Sequence, residues 1–341
     1  MADFPSRYER QERLPQVGKD GQKQLEQSHA VVIGLGALGS VESDLLARAG
    51  VGRLTIIDRD VVEAGNLQRQ TLYTEADALA SRPKAEAALS RLQLVNSQIE
   101  IRAQASDLTA QNVSKICQGA DVVIDGTDNF QTRYLLNDWA VSTKTPFVYA
   151  GVVGTYGMSG AILPNRPCLR CTWPEPPEAT QAPTCSSAGV LGSAVSPIAG
   201  LAVTEAIKVL LSQPDATASG YVYADLWRNQ YRTLKTVLDP DCPCCAQNDF
   251  AWLSGRRGAL GAKAVCGGNA VQIPAAGGPV ALASLAARIE PSVSGLRLSD
   301  FHLRFHHRGC EVTLFADGHA LVRHTEDLGL ARAILAEFLA F

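Results

Sequence analysis

The residues whose types and spacing best suit chemistry begin with three glycines. In Val31-Val32-Ile33-Gly34-Leu35-Gly36-Ala37-Leu38-Gly39-Ser40 a short apolar run ends in Gly-x-Gly-x-x-Gly. This is the pattern of a strand that turns sharply into a helix. Gly34 permits the tight turn, Gly36 lets a phosphate approach the backbone, and Gly39 lets the helix pack closely on the strand. The N–H groups and positive dipole end of that helix then face an anion. Asp58 closes the next apolar run, Leu54-Thr55-Ile56-Ile57, about twenty residues on, where a ribose-binding carboxylate is expected. Alone, the set indicates a nucleotide without saying which.

Polar residues follow where further strands should end. Asn66-Leu67-Gln68-Arg69-Gln70 lies just beyond one such end, the place where open α/β sheets bind ligands. Arg69 offers a planar fork for phosphate oxygens, and Lys84, opening an Ala/Leu-rich helix, offers a point charge. Each alone also reads as an ordinary surface charge. The run Asp121 to Asp125 leads into Gly126-Thr127-Asp128-Asn129. Asp128 is suited either to magnesium, which takes one or two carboxylates plus phosphate oxygens, or to capping a helix that starts near Phe130. Arg10, in Arg7-Tyr8-Glu9-Arg10-Gln11, reads as a solvated helix charge.

Cysteine supplies the second chemistry. Cys168-Leu169-Arg170-Cys171 is one CxxC, and Cys242 with Cys245 forms another inside Asp241-Cys242-Pro243-Cys244-Cys245. Two such pairs suit a four-thiolate zinc site, although their separation of roughly 70 residues exceeds that of a zinc ribbon. A redox CxxC is the rival reading, and Cys244 competes with Cys245 as ligand. Cys185 sits in a Pro- and Ser-rich loop away from both pairs, a candidate nucleophile with no basic residue adjacent in sequence.

The elements that must position these groups alternate strand and helix through Tyr149. They predict an α/β fold: a doubly wound, mostly parallel sheet with antiparallel strands, Tyr221–Leu226 and Tyr231–Val237, at one edge. A helix is expected over Pro197–Leu211. Residues 1–248 read as the nucleotide-binding unit, 249–263 as a linker and 264–341 as a small α+β unit. In that last unit Glu311–Phe315 and Ala320–His324 pair across Asp317-Gly318, and the helix Leu328–Phe341 closes the chain. Five of the six histidines fall there (His302, His306, His307, His319, His324) and read as strand-surface residues. A net charge of −3 gives no electrostatic footprint for nucleic acid or an anionic membrane. No apolar run approaches the ~20 residues that span a bilayer. Without a signal-type N-terminus, a cytoplasmic location is the expectation, and there cysteines serve metals or reactivity before disulfides.

Taken in order, Arg7-Tyr8-x-Arg10-Gln11, the glycine run, Asp58, Asn66-Leu67-x-Arg69-Gln70, Lys84, Thr127-Asp128-Asn129, two CxxC pairs and a loop cysteine form one combination. It resembles the ThiF/HesA/MoeB family of ubiquitin-like-protein activating enzymes over roughly residues 5–246. The tail, with Cys266-Gly267-Gly268-Asn269 and Phe315-Ala316-Asp317-Gly318, looks like the extension of a long-form branch linked to thiazole synthesis. No rhodanese-type active-site loop is visible. The resemblance implies Mg-ATP and a small ubiquitin-fold (ThiS-like) sulfur carrier, whose C-terminal Gly-Gly carboxylate attacks the α-phosphate and releases pyrophosphate. It implies that Gly34, Gly36 and Gly39 cradle phosphates, that Asp58 holds the ribose, and that Asn66, Arg69 and Lys84 stabilise developing charge. Gln70, Thr127 and Asn129 complete the nucleotide contacts, Asp128 holds magnesium, and Arg10 reaches a neighbouring subunit's site in a homodimer. Cys168, Cys171, Cys242 and Cys245 become zinc ligands, Cys185 a covalent nucleophile, and a cysteine desulfurase or similar protein the sulfur donor.

A molybdopterin (MoaD-like) carrier or a bacterial ubiquitin-like modifier would use the same site. From a different class, an NAD-dependent oxidoreductase shares the glycine fingerprint and Asp58, but hydride transfer needs neither Arg69 nor Lys84. No evident proton-relay histidine precedes residue 300 either. A zinc-stapled binding module without catalysis would not require the full polar set.

Overall fold

The computed structural model describes residues 7–177, 188–257, 263–264, 269–275 and 278–339. Eight strands form the larger sheet, in the order β3-β2-β1-β4-β5-β6-β7-β8. They are β1 (His29–Ile33), β2 (Arg53–Ile57), β3 (Glu100–Gln104), β4 (Val122–Asp125), β5 (Phe147–Val153), β6 (Tyr156–Ile162), β7 (Gly220–Asp225) and β8 (Gln230–Lys235). The pairings among β1 to β5 are parallel, and β5-β6, β6-β7 and β7-β8 are antiparallel. β1 and β4 are buried throughout, because helices cover both faces of a doubly wound sheet and continuous apolar runs are what such strands require.

Helices α1 (Glu9–Glu12) and α2 (Gly18–Gln27) precede the sheet, and α3 (Ala37–Ala49) leaves the glycine turn. Gly50, in a left-handed conformation at φ +81°, ends α3 as its C-cap, since only glycine enters that region without strain. There follow α4 (Glu75–Leu79), α5 (Lys84–Val95), α6 (Val113–Ile116), α7 (Phe130–Thr143), α8 (Leu169–Thr172) and α9 (Gly192–Leu210). α9 begins at Gly192, five residues before the expected Pro197, because its first turns already pack through Ala194 and Val195 into the core shared with α3, β5 and β6. α9 alone among the described helices has the length and apolarity to cross a membrane, and half of it is buried within the protein. Here that composition serves a core helix.

The C-terminal unit is a second sheet, order β11-β12-β13-β14-β10-β9 and antiparallel throughout. Its strands are β9 (Lys263–Ala264), β10 (Ala270–Ile273), β11 (Ser294–Leu298), β12 (His302–His307), β13 (Cys310–Phe315) and β14 (Ala320–Arg323). The Asp317-Gly318 turn joins β13 to β14 as expected, with Gly318 at φ +93°. Helices α10 (Leu282–Ile289) and α11 (Leu328–Phe338) bury Leu285, Ile289, Ile334 and Leu335 against one face. The opposite face packs on the nucleotide unit: Phe315 and Leu321 join the larger core. His319 stacks on Phe315 at 4.0 Å and its Nε2 lies 3.0 Å from the Arg59 carbonyl. His302 and His319 are therefore buried contacts, unlike the surface residues expected, because the sheet face that carries them is covered.

Candidate active site

A cavity of about 640 Å³ opens at the carboxyl ends of β1, β2 and β4, where the sheet order reverses direction. The glycine turn forms its floor. Gly34 sits at φ +85°, and a Cβ there would lie 2.9 Å from Thr127. A Cβ on Gly39 would come within 1.8 Å of the Gly34 carbonyl, so only glycine lets α3 lie this close to β1. Gly36 differs: the nearest atoms to a Cβ there stand 3.9 Å away. The surrounding packing leaves room for a side chain at Gly36, and without one its backbone stays open to the cavity.

Asp58 organises this floor. Its carboxylate accepts the Leu35 N–H at 2.6 Å and the Asp60 N–H at 2.7 Å. Burial raises its pKa against the pull of Lys84. Lys84 is itself buried, and its ammonium lies 3.1 Å from Asp60. Burial would lower the lysine, but the Asp60 and Asp58 carboxylates outweigh that and raise it, so it stays a cation. Arg69 donates to the Gly65 carbonyl at 2.8 Å, and the Asn66 side-chain oxygen accepts the Glu63 N–H at 3.1 Å. Gln70 is buried beside Gly36, and its Oε1 has no hydrogen-bond partner among the described residues. The Gln70 Nε2 is the atom nearest a Cβ placed on Gly36, 3.9 Å away, so an amide N–H₂ already stands at the glycine turn. Both features fit a phosphate-bearing ligand.

Across the cavity, Asn129 caps α7 by accepting the Thr132 N–H at 2.8 Å. Capping thus falls to Asn129, and Asp128 stands exposed at the cavity wall with its carboxylate off the helix. An exposed carboxylate beside a phosphate cradle matches the donor set of magnesium. One residue that periodicity did not single out, Arg133, completes the wall. Arg133 donates to buried Asp125 at 2.9 Å and to the Thr127 carbonyl at 2.6 Å, and lies 5.1 Å over the Tyr149 ring. The signal available in the sequence was the carboxylate ending the strand, but its partner eight positions on follows no strand or helix period.

The cavity thus gathers Gly34, Gly36, Asp58, Asn66, Arg69, Gln70, Lys84, Thr127, Asp128 and Asn129, with Gly39 packed beneath. Arg10 is exposed on α1 and does not line it. Cys185 lies outside the described residues. The chain resumes against the site: Gly154 donates to the Gly189 carbonyl and accepts the Leu191 N–H, both at 2.8 Å, and its neighbour Val153 lines the cavity.

The thiols of Cys168, Cys171, Cys242 and Cys245 lie within 4.8 Å of one another. Individual gaps are 3.6 Å (Cys168–Cys242), 3.4 Å (Cys171–Cys245) and 4.0 Å (Cys168–Cys171). Tetrahedral zinc with ~2.3 Å bonds sets sulfur atoms about 3.8 Å apart, so the cluster suits zinc. Cys244 instead receives a hydrogen bond from Asn137 Nδ2 at 3.3 Å. A hydrogen bond from the Cys244 thiol, above all, lowers Cys168 to about 5. Asn137 also accepts the Leu169 N–H at 2.8 Å, and Asp138 accepts the Trp252 N–H at 2.9 Å, so α7 grips both thiol-bearing segments.

Fold and site together define a doubly wound α/β protein with a glycine-floored cavity at the switch point and a cluster of four thiols beside it. Its family follows from comparison with known proteins. The chain belongs to the ThiF family, whose model matches residues 8–244. It is 36% identical over 338 residues to the sulfur carrier protein ThiS adenylyltransferase of Bacillus subtilis, covering 98% of this chain and 99% of that one. It is 38% identical over 248 residues to a sulfur carrier protein adenylyltransferase of Thermus thermophilus, covering 70% and 90%. Among solved structures, Escherichia coli MccB with ATP superimposes with a TM-score of 0.61 at 22% identity, over 70% of this chain and 74% of that one. That likeness establishes the shared fold.

Proposed function

We propose that this protein is an adenylyltransferase that activates the C-terminal Gly-Gly carboxylate of a small ubiquitin-fold sulfur carrier, in sulfur transfer for thiazole synthesis. The observation that carries the reading is the cavity itself: a glycine cradle open at Gly36 with Arg69, Lys84 and Asp128 on one wall system. The near full-length likeness to a ThiS adenylyltransferase supports the choice of carrier.

In the proposed reaction a carrier carboxylate oxygen attacks the α-phosphorus of ATP. The new C–O–P bond forms as the bond to the β-phosphate oxygen breaks, and pyrophosphate leaves with that electron pair. Lys84, kept cationic by Asp60 and Asp58, and Arg69 receive the charge that grows on the leaving phosphates, as fixed electrostatic stabilisers do. Asn66, Gln70, Thr127 and Asn129 orient the nucleotide, and Asp58 holds both the turn and the ribose. Asp128 would hold magnesium, which neutralises phosphate charge when bound.

Cys168, Cys171, Cys242 and Cys245 would hold zinc as a structural staple. We assign Cys185 a covalent role after adenylation, through attack of its thiolate on the activated carrier carbonyl. AMP leaves in that step and a thioester forms. Arg10 would complete the site of a partner subunit in a homodimer, with a cysteine desulfurase or similar protein as sulfur donor. Residues 1–248 form the adenylating unit, 249–263 the connection and 264–341 the C-terminal unit.

The test is ATP–pyrophosphate exchange with a purified carrier ending in Gly-Gly. Exchange that requires the intact Gly-Gly terminus supports the reading, and tight NAD binding with no exchange would replace it by the oxidoreductase reading.

A further inference from the structure

The C-terminal sheet reaches the nucleotide cavity directly. Gln272 of β10 and its register partner Leu321 of β14 both line it. Arg323 follows on the same face of β14 and turns toward the nucleotide unit. Its guanidinium donates to the Glu63 carboxylate at 2.8 Å and to the Ser81 hydroxyl at 3.0 Å, with Glu311 at 3.5 Å behind it. Glu63 in turn donates its N–H to the Asn66 side chain. The short turn Ala64–Asn66 buries no side chain, and its C-cap Leu67 packs only partly against the core. Polar links therefore carry much of its geometry. Arg69, just beyond, folds back on the Gly65 carbonyl of the same turn.

We propose that Arg323 is a positioning residue for the adenylation step: through Glu63 it fixes the turn that presents Asn66 and Arg69 to the triphosphate, making the C-terminal unit part of the nucleotide site. This rests on the adenylation reading above. A purely structural role for Arg323, gluing two units together, is separable from it. Arg304 supplies the comparison, because it crosses the same interface to the Ala80 carbonyl at 2.6 Å and pairs with Glu311 rather than with Glu63.

The experiment compares Arg323→Ala, Arg323→Lys and Arg304→Ala in the full chain, by steady-state pyrophosphate exchange with varied ATP and by thermal melting. Arg323→Ala should lower kcat/KM for ATP by about fivefold, the size a half-exposed ion pair transmits. Arg323→Lys should recover part of that loss, because lysine keeps the charge but not the fork. Arg304→Ala should lower the melting temperature and leave kcat/KM within about twofold of the unaltered protein. The proposal is overturned if Arg323→Ala retains full kcat/KM, or if Arg304→Ala loses as much. Absence of exchange in the unaltered protein would overturn the adenylation reading and this proposal together, whereas normal exchange with a silent Arg323→Ala overturns this proposal alone.

Discussion

At the level of single residues, the site separates groups that hold the cavity from groups that face its contents. Arg69 and Asp128 face the contents, so Arg69→Ala and Asp128→Ala should each cut exchange by about a hundredfold or more with little change in melting temperature. Near-normal exchange by either variant would remove its assigned role. Arg133 holds the cavity. Its loss leaves Asp125 buried without its cation, and breaking such a pair costs about 3–5 kcal/mol. Arg133→Ala should therefore show a large fall in denaturation midpoint, and an unchanged midpoint would show that the pair carries no stability. The glycines, Asp58, Asn66, Arg69, Lys84 and Asp128 were all readable in the sequence, because each belongs to a short motif: the glycine run, a polar cluster beyond a strand end, or, for Lys84, the start of a helix. Arg133 and Asp60 were not. Their importance lies in pairings across a turn or between elements, which no local period records.

Among the elements, the strand and helix alternation was plain from apolar runs and glycine stops, while the start of α9 and the burial of His302 and His319 depended on tertiary packing. The thiol staple illustrates the same divide. Both CxxC pairs were visible, but the choice of Cys245 over Cys244 needed the geometry, since the four thiols that lie within 4.8 Å of one another include Cys245 and not Cys244. Cys171→Ser should lower bound zinc below one equivalent and lower the melting temperature. Full zinc occupancy in that variant would place the metal elsewhere. β1 carries a pH-sensitive contact: His29 Nδ1 lies 2.9 Å from the Gly119 carbonyl and Nε2 2.8 Å from the Thr55 hydroxyl. Burial lowers its pKa below 6.5, against the Gly119 hydrogen bond. The unfolded chain therefore binds the proton more readily, so the stabilisation is complete above pH 6.5 and drains away as pH falls toward the lowered folded value. Urea midpoints between pH 7 and 5 should fall, and His29→Gln should flatten that fall; an equal slope in the variant would assign the sensitivity to another group.

For the whole molecule, the hairpin and final helix of the C-terminal unit were evident from the sequence, but its attachment was not. Charged residues on one strand face ordinarily signal solvent. Here Arg304 and Arg323 of that face meet Ala80, Ser81 and Glu63 of the nucleotide unit, and Asp317 accepts the Asp107 N–H at 3.3 Å. Covering that surface brings the second sheet to the rim of the cavity. The same assembly lets residues of both units, Gln272 and Leu321 among them, line one cavity. The most direct test is ATP–pyrophosphate exchange by the purified protein with a ThiS-like carrier, run beside the same carrier lacking its final glycine. The account predicts exchange with the intact carrier and none with the truncated one; exchange that ignores the carrier, or none with any Gly-Gly-ended carrier, would contradict it.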